Sequence, residues 1–166
     1  MKNPACLLLF VVMLFPAMSR ADGGGQLVGR ASVIDGDTIE IRGRRVRLWG
    51  IDAPESSQTC ALPDGRRWRC GAQAANELSA FVGVRNVACT PEGRRSFDRI
   101  VARCSAGGVD LGGWMVENGW ALDYARFSQG HYARKQAAAA GAARGMHASQ
   151  FVAPWDHRAS QRTARP

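Results

Sequence analysis

An α+β fold, a five-stranded OB-fold barrel carrying helices, is predicted by the element order β-β-β-α-β-β-α-α that runs between Leu27 and Arg144. Two further observations agree. A length of 166 residues suits one domain large enough to bury its own core. A composition 46% hydrophobic and 22% charged is that of a globular chain.

The elements follow from local pattern. Leu27-Val28 through Ala31, Val33 and Ile34 forms a first strand, and Asp35-Gly36-Asp37 is a turn signal. Thr38-Ile39-Glu40-Ile41 alternates as a second strand. Gly43 turns the chain, and Arg45-Val46-Arg47-Leu48-Trp49 alternates as a third, ended by Pro54. The stretch from Ser56 to Arg69 is polar, contains Pro63-Asp64-Gly65, and is expected as a surface loop. From Gly71 to Val82, Ala72, Ala75, Leu78, Ala80 and Phe81 fall near one helical face. Val84 to Cys89 and Arg99 to Cys104 are two more strands, joined by a charged loop. Asp110 caps a helix that stops at Gly119. Ser128 is expected to cap a last helix through the Ala-rich segment to Arg144. Trp49, Trp114 and Trp120 are expected in the core. From Pro154 the chain is polar and basic, and it is expected to be partly mobile.

Residues 1–21 have the form of a signal peptide. Lys2 is a positive start, Ala5 to Met18 is apolar apart from Pro16, and Ser19-Arg20-Ala21 offers small residues for cleavage before Asp22. Export to a secreted or periplasmic location follows; the alternative is a membrane anchor retained over residues 5–18. Residues 22–26 are a Gly-rich flexible lead-in, 27–158 the OB-fold domain, and 159–166 a polar basic tail. Loss of the leader would remove Cys6 and leave Cys60, Cys70, Cys89 and Cys104. Four cysteines in an exported chain imply two disulfides with three possible connectivities. Without a close C-x2-C pair, zinc is disfavoured. Cys60 and Cys70 bracket the polar loop, and Cys89 and Cys104 can face each other across a strand pair, so Cys60–Cys70 and Cys89–Cys104 are the expected bridges.

The net charge of +8 points to an anionic partner, nucleic acid or a membrane surface. Losing Lys2 and Arg20 leaves 20 basic against 14 acidic residues, a net +6. All basic residues but Lys2 and Lys135 are arginine, the side chain that grips phosphate in two-pronged fashion. Codon bias from a GC-rich genome would explain much of that excess. Arg42, Arg44 and Arg45 make a basic hairpin tip; Arg66, Arg67 and Arg69 in the stapled loop are better placed to meet a polynucleotide.

Several chemistries drop out. His131, His147 and His157 all come late, and there is no Gly-x-Ser-x-Gly elbow, His-Glu-x-x-His pair or phosphate-binding P-loop. What remains is acids and arginines at strand ends: Asp35 and Asp37 in the first turn, Asp52 and Glu55 after the third strand, Arg47 within it, and Arg99 opening the fifth. Singly, each is an ordinary turn or surface residue. Together they bring two acid clusters to neighbouring strand ends, where carboxylates repel unless a cation lies between them. An all-oxygen set suits a hard cation. Two arginines would hold a phosphodiester and offset charge in its transition state. A carboxylate left off the metal would deprotonate water.

The segments Val33-Ile34-Asp35-Gly36-Asp37-Thr38, Arg47-Leu48-Trp49-Gly50-Ile51-Asp52-Ala53-Pro54-Glu55 and Asp98-Arg99-Ile100-Val101-Ala102 resemble the staphylococcal nuclease-like (thermonuclease) family. The resemblance runs from about Leu27 to Arg158 and implies an OB-fold, Ca2+-dependent phosphodiesterase acting on DNA and RNA. It implies Asp37, Asp52 and the Ala53 carbonyl oxygen as ligands of one Ca2+, with Asp35 in the outer shell. It implies Glu55 as general base, and Arg47 and Arg99 as the pair on the phosphate. By the same resemblance the bond to the 5′ oxygen breaks and 3′-phosphate ends remain. Ala53 stands where the family's type member has Thr, which a backbone ligand tolerates. Phe97-Asp98 replaces a usual Tyr-Gly: Phe97 can still stack on a base, whereas Asp98 adds negative charge beside Arg99. His147 stands where a Trp is common. Tyr124 and Phe127 are the nearest candidates for nucleotide stacking, with packing against the barrel as the other reading. The expected partner is a nucleic acid bound with little sequence specificity, because phosphate contacts carry no sequence information. No protein partner or lasting membrane association is implied, and a monomer is expected. Two other classes remain open: an OB barrel that binds nucleic acid or anionic polysaccharide without cleaving it, and a stapled envelope protein with a structural Ca2+.

Overall fold

The computed structural model describes residues 25–93 and 98–164. The leader read over residues 1–21, Cys6 and Phe97 lie outside the described residues. Strands β1 (Leu27–Asp35), β2 (Thr38–Ile41) and β3 (Arg44–Leu48) form the expected antiparallel meander, with Val33 opposite Ile39 and Ile39 opposite Val46. After β4 (Ile51–Asp52), the polar loop contains a small hairpin of β5 (Cys60–Ala61) and β6 (Arg67–Trp68). Helix α1 (Cys70–Val82) leads to β7 (Asn86–Pro91), β8 (Ile100–Ala106) and the short β9 (Val109–Asp110). The chain closes with α2 (Leu111–Glu117), β10 (Leu122–Asp123), α3 (Ala125–Ser128), α4 (Ala133–Gly141), a 3-10 turn over Gly145–Ala148, and α5 (Pro154–Thr163).

The sheet order β3-β2-β1-β7-β8 closes on itself because β3 also pairs with β8, in parallel. This is the five-stranded OB-fold barrel that the element order predicts. Closure puts Val46, Arg47 and Leu48 opposite Ile100, Val101 and Ala102. It therefore brings Arg99, which just precedes β8, to the end of the strand that carries Arg47. The inward residues Ile39, Ile41, Val46, Leu48, Val87 and Ala102 are buried, and α1 adds Ala74, Leu78 and Val82 at intervals of four. That spacing places one side chain per turn on the barrel. Trp49, Trp114 and Trp120 pack against this core as expected.

Both expected disulfides are present, Cys60–Cys70 and Cys89–Cys104. Cys89 and Cys104 are direct cross-strand partners on β7 and β8. Cys60 and Cys70 belong to a second, smaller core with Leu122 and Met146, flanked by Trp68, Phe151, Ala153 and Trp155. No helix among the described residues is long and apolar enough to cross a membrane.

The C-terminal third departs from the sequence reading in two ways. Asp110 caps α2 as expected, its side chain accepting from the Gly113 amide. Ser128, however, does not start the last helix. Gln129 and Gly130 have φ of +54° and +80°, which breaks any helix there, and Ser128 Oγ instead accepts from the Gly130 amide. The Ala-rich helix consequently begins at Ala133 and ends at Gly141. Beyond it, the segment expected as a polar tail is helical as α5, which continues past Arg158 to Thr163. Pro154 at its N-terminus lacks an amide that would go unpaired, Asp156 lies in the first turn and Arg162 in the last, an order that complements the helix dipole.

Candidate active site

Asp37 lies in the turn just before β2, Arg47 on barrel strand β3, and Asp52 ends β4, which pairs with β10 outside the barrel; the three side chains meet at one end of the barrel. The Arg47 guanidinium lies between the two acids. Its Nη1 and Nη2 are each 2.9 Å from Asp37 oxygens, and Nη2 is 2.7 Å from Asp52 Oδ1. Asp52 is fully buried and Asp37 is 3% exposed. Asp37 also accepts from the Thr38 hydroxyl at 3.0 Å and from the Ala53 amide at 3.3 Å. Arg99 Nη1 donates to Thr38 Oγ1 at 3.4 Å, which joins it to the same network. Asp35 accepts the Asp37 amide at 3.0 Å, tightening the turn between β1 and β2.

Electrostatics here is set by burial. Desolvation raises the Asp37 carboxyl to about 7, with Arg47 opposing the rise and Asp35 and Asp52 adding to it. Burial disfavours the charge on Arg47, but Asp37 and Asp52 overcome it and hold the guanidinium above its ordinary range.

These residues border a cavity of about 760 Å³, lined among others by Asp35, Asp37, Arg47, Ala53, Glu55, Arg99, Tyr124, Phe127 and Arg158. The candidate acids and arginines thus converge. The aromatic candidates lie at the same cavity: Phe127 is 56% exposed, and Tyr124 packs edge-on to it. The Tyr124 ring is also stacked on Trp155, 5.2 Å away with an angle of 9° between planes. The basic loop residues lie apart from this cavity lining: Arg66 pairs with Asp64, and Arg67 with the Thr59 hydroxyl. Among the described residues, no group of three or more His, Cys, Asp or Glu side chains is arranged to hold a metal ion.

Four residues of the site escape the sequence reading. Arg158 on α5 donates to both oxygens of Asp52, at 3.0 and 2.6 Å, and to Glu55 Oε1 at 2.9 Å. Burial opposes its charge, and the bonds to Asp52 and Glu55 hold it more firmly protonated than an ordinary arginine. Trp155 precedes it by one helical turn. Gln58 is buried; its Oε1 accepts the Glu55 amide at 3.3 Å and its Nε2 donates to the Val152 carbonyl at 2.7 Å. The available signal was the spacing of Trp155, Arg158 and Arg162 behind Pro154, one face of a short helix.

Gly71 is the fourth. A Cβ there would stand 1.7 Å from the Glu55 carbonyl oxygen, so α1 and the Glu55 loop approach backbone to backbone. Gly71→Ala should push that loop away from the barrel end, costing about 1–3 kcal/mol as an overpacked buried site. Thermal unfolding of the purified variant measures this; a melting temperature equal to wild type would show that the loop yields freely.

Two comparisons bear on these residues. The family model described as "Staphylococcal nuclease homologue" matches residues 45–151. "Succinoglycan biosynthesis protein ExoI" of Rhizobium meliloti (strain 1021) is 44% identical over 112 residues, covering 66% of this chain and 59% of that protein. "Probable staphylococcal-like nuclease CAN3" of Oryza sativa subsp. japonica is 31% identical over 131 residues, covering 78% of this chain and 32% of that protein. The chain therefore matches only part of the length of either relative.

Proposed function

Because the chain belongs to the staphylococcal nuclease homologue family, we propose that it is an exported, metal-dependent nuclease that hydrolyses phosphodiester bonds of DNA or RNA with little sequence specificity. The observation that carries this reading is the convergence of Asp37, Asp52, Glu55, Arg47 and Arg99 on one cavity. Two disulfides suit the oxidising side of a membrane.

The donor set fits a hard cation in kind. Asp37 and Asp52 are buried oxygen donors, the kind a hard cation prefers, and in this structure Arg47 and Arg158 supply the positive charge beside them. One Ca2+ held by Asp37, Asp52 and the Ala53 carbonyl, with Asp35 in its outer shell, would supply charge against the phosphate oxygens. The chain's own residues do the rest. Glu55, half-exposed at the cavity edge, takes a proton from water, whose oxygen attacks phosphorus as the bond to the 5′ oxygen breaks. Arg47 and Arg99 hold the phosphate and offset its growing charge. Phe97, Tyr124 and Phe127 are the residues for base stacking, Phe127 being the most open of those described.

The test is cleavage of single- and double-stranded DNA and of RNA by the purified protein, with Ca2+ and then with chelator. Cleavage that chelator abolishes and Ca2+ restores is expected. Cleavage of none of the three substrates would overturn the nuclease reading. It would favour the second one, a non-catalytic OB-fold binder of nucleic acid or anionic polysaccharide, to which the 44% identity with a protein named for succinoglycan biosynthesis lends support.

A further inference from the structure

The C-terminal helix lies past residue 151, where the family match ends, yet it reaches the centre of the site. We propose that Arg158 is a positioning residue of the active site, its guanidinium bridging Asp52 and Glu55 so that a helix outside the family match fixes where the base stands. This inference rests on the nuclease reading.

Three observations carry it. First, one guanidinium fork spans two carboxylates, with three donor–acceptor distances of 2.6–3.0 Å. A glutamate on a loop has three rotatable bonds, and an arginine fork is the side chain best shaped to stop them. Asp52, fully buried on β4, is the rigid end of that bridge. Second, the backbone of Glu55 is tied to the same C-terminal segment through Gln58, which bonds the Glu55 amide on one side and the Val152 carbonyl on the other. Side chain and backbone of Glu55 are thus both referenced to residues 152–158. Third, the segment is anchored rather than draped over the cavity. Pro154 is buried, Trp155 stacks on Tyr124, and Phe151, Ala153 and Trp155 pack on the small core around Cys60–Cys70. A helix fastened at this many points holds its arginine in register, as a removable plug would not.

The experiment compares wild type, Arg158→Ala and Arg158→Lys on one defined oligonucleotide, reading kcat, KM and melting temperature, with methylguanidinium added back to Arg158→Ala. Misplacing a catalytic group by about 1 Å costs on the order of 100-fold, so kcat of Arg158→Ala should fall by roughly 30- to 100-fold while KM changes by less than about threefold. Methylguanidinium should recover at least about tenfold, and lysine, which cannot bridge two carboxylates as a fork, should recover less. Unchanged or increased kcat in Arg158→Ala would overturn the proposal, the increase marking Arg158 as a plug over the acids. A rise in KM alone would make it a substrate contact instead. A loss that methylguanidinium does not repair, accompanied by a lowered melting temperature, would make it structural only. An inactive wild type would sink the nuclease reading and this inference with it, whereas an active wild type with an indifferent Arg158→Ala sinks this inference alone.

Discussion

Glu55→Gln should lower kcat by about 10²–10⁴-fold, the usual worth of a positioned general base, and leave folding intact. The substitution keeps the shape of the side chain and one oxygen to accept from Arg158, so the bridge from α5 survives in part. What it removes is the ability to take up a proton from water. The Glu55 side chain is 39% exposed and carries no buried apolar surface of the core, so the melting temperature should stay close to that of wild type. Steady-state cleavage of an oligonucleotide with Ca2+, alongside thermal unfolding, measures both. Full activity in the variant would leave the family assignment standing and reject Glu55 as the base.

Arg47→Ala should destabilise the protein by about 3 kcal/mol, the lower end of the cost of breaking a buried ion pair. Arg47 serves both buried acids. Asp52 keeps Arg158, but among the described residues Asp37 is left with only the Thr38 hydroxyl and the Ala53 amide. The lower end applies because Asp37 can shed its charge by protonating. Burial already raises its carboxyl from 3.8 to about 7. Between those values the folded state holds a proton that the unfolded state has released. This group's contribution to stability is therefore complete below its ordinary value and is lost as pH rises through about 7. Without Arg47 the carboxyl rises further. In chelator, the stability gap between wild type and Arg47→Ala should widen from pH 5 to pH 8, where the wild-type carboxylate is charged and paired. Urea denaturation at the two pH values reads this directly. A gap that is the same at both would show that Asp37 does not titrate in this range.

The barrel and its reading frame are legible in the chain because strands and short turns leave local marks. Period-two alternation in Thr38–Ile41 and Arg45–Leu48, the Asp35-Gly36-Asp37 turn and the Asp110 cap all act within a few residues of themselves. The acids and Arg47 are legible for the same reason: they ride on those strand ends, and closure of the barrel through β3 and β8 brings Arg99 to them. Ser128 misleads because a cap signature is common in turns that never become helices, and the left-handed Gln129-Gly130 pair decides otherwise. The polar C-terminal segment misleads because its helix has little apolar surface of its own. Only packing of Pro154 and Trp155 against the rest of the molecule makes it worth forming.

By itself, the sequence determined the barrel and the set of carboxylates and arginines at strand ends, and it favoured one of three disulfide connectivities, the one the structure has. Each is specified by periodicity, turn chemistry or a residue type at a strand terminus. Only the tertiary structure decided how those charges are paired, that Gln58 and Gly71 hold the Glu55 loop, and that Arg158 reaches Asp52 across 106 positions of chain. Contacts of that separation depend on where a helix docks. Docking is governed by the summed shape of two cores, which no window of the sequence contains.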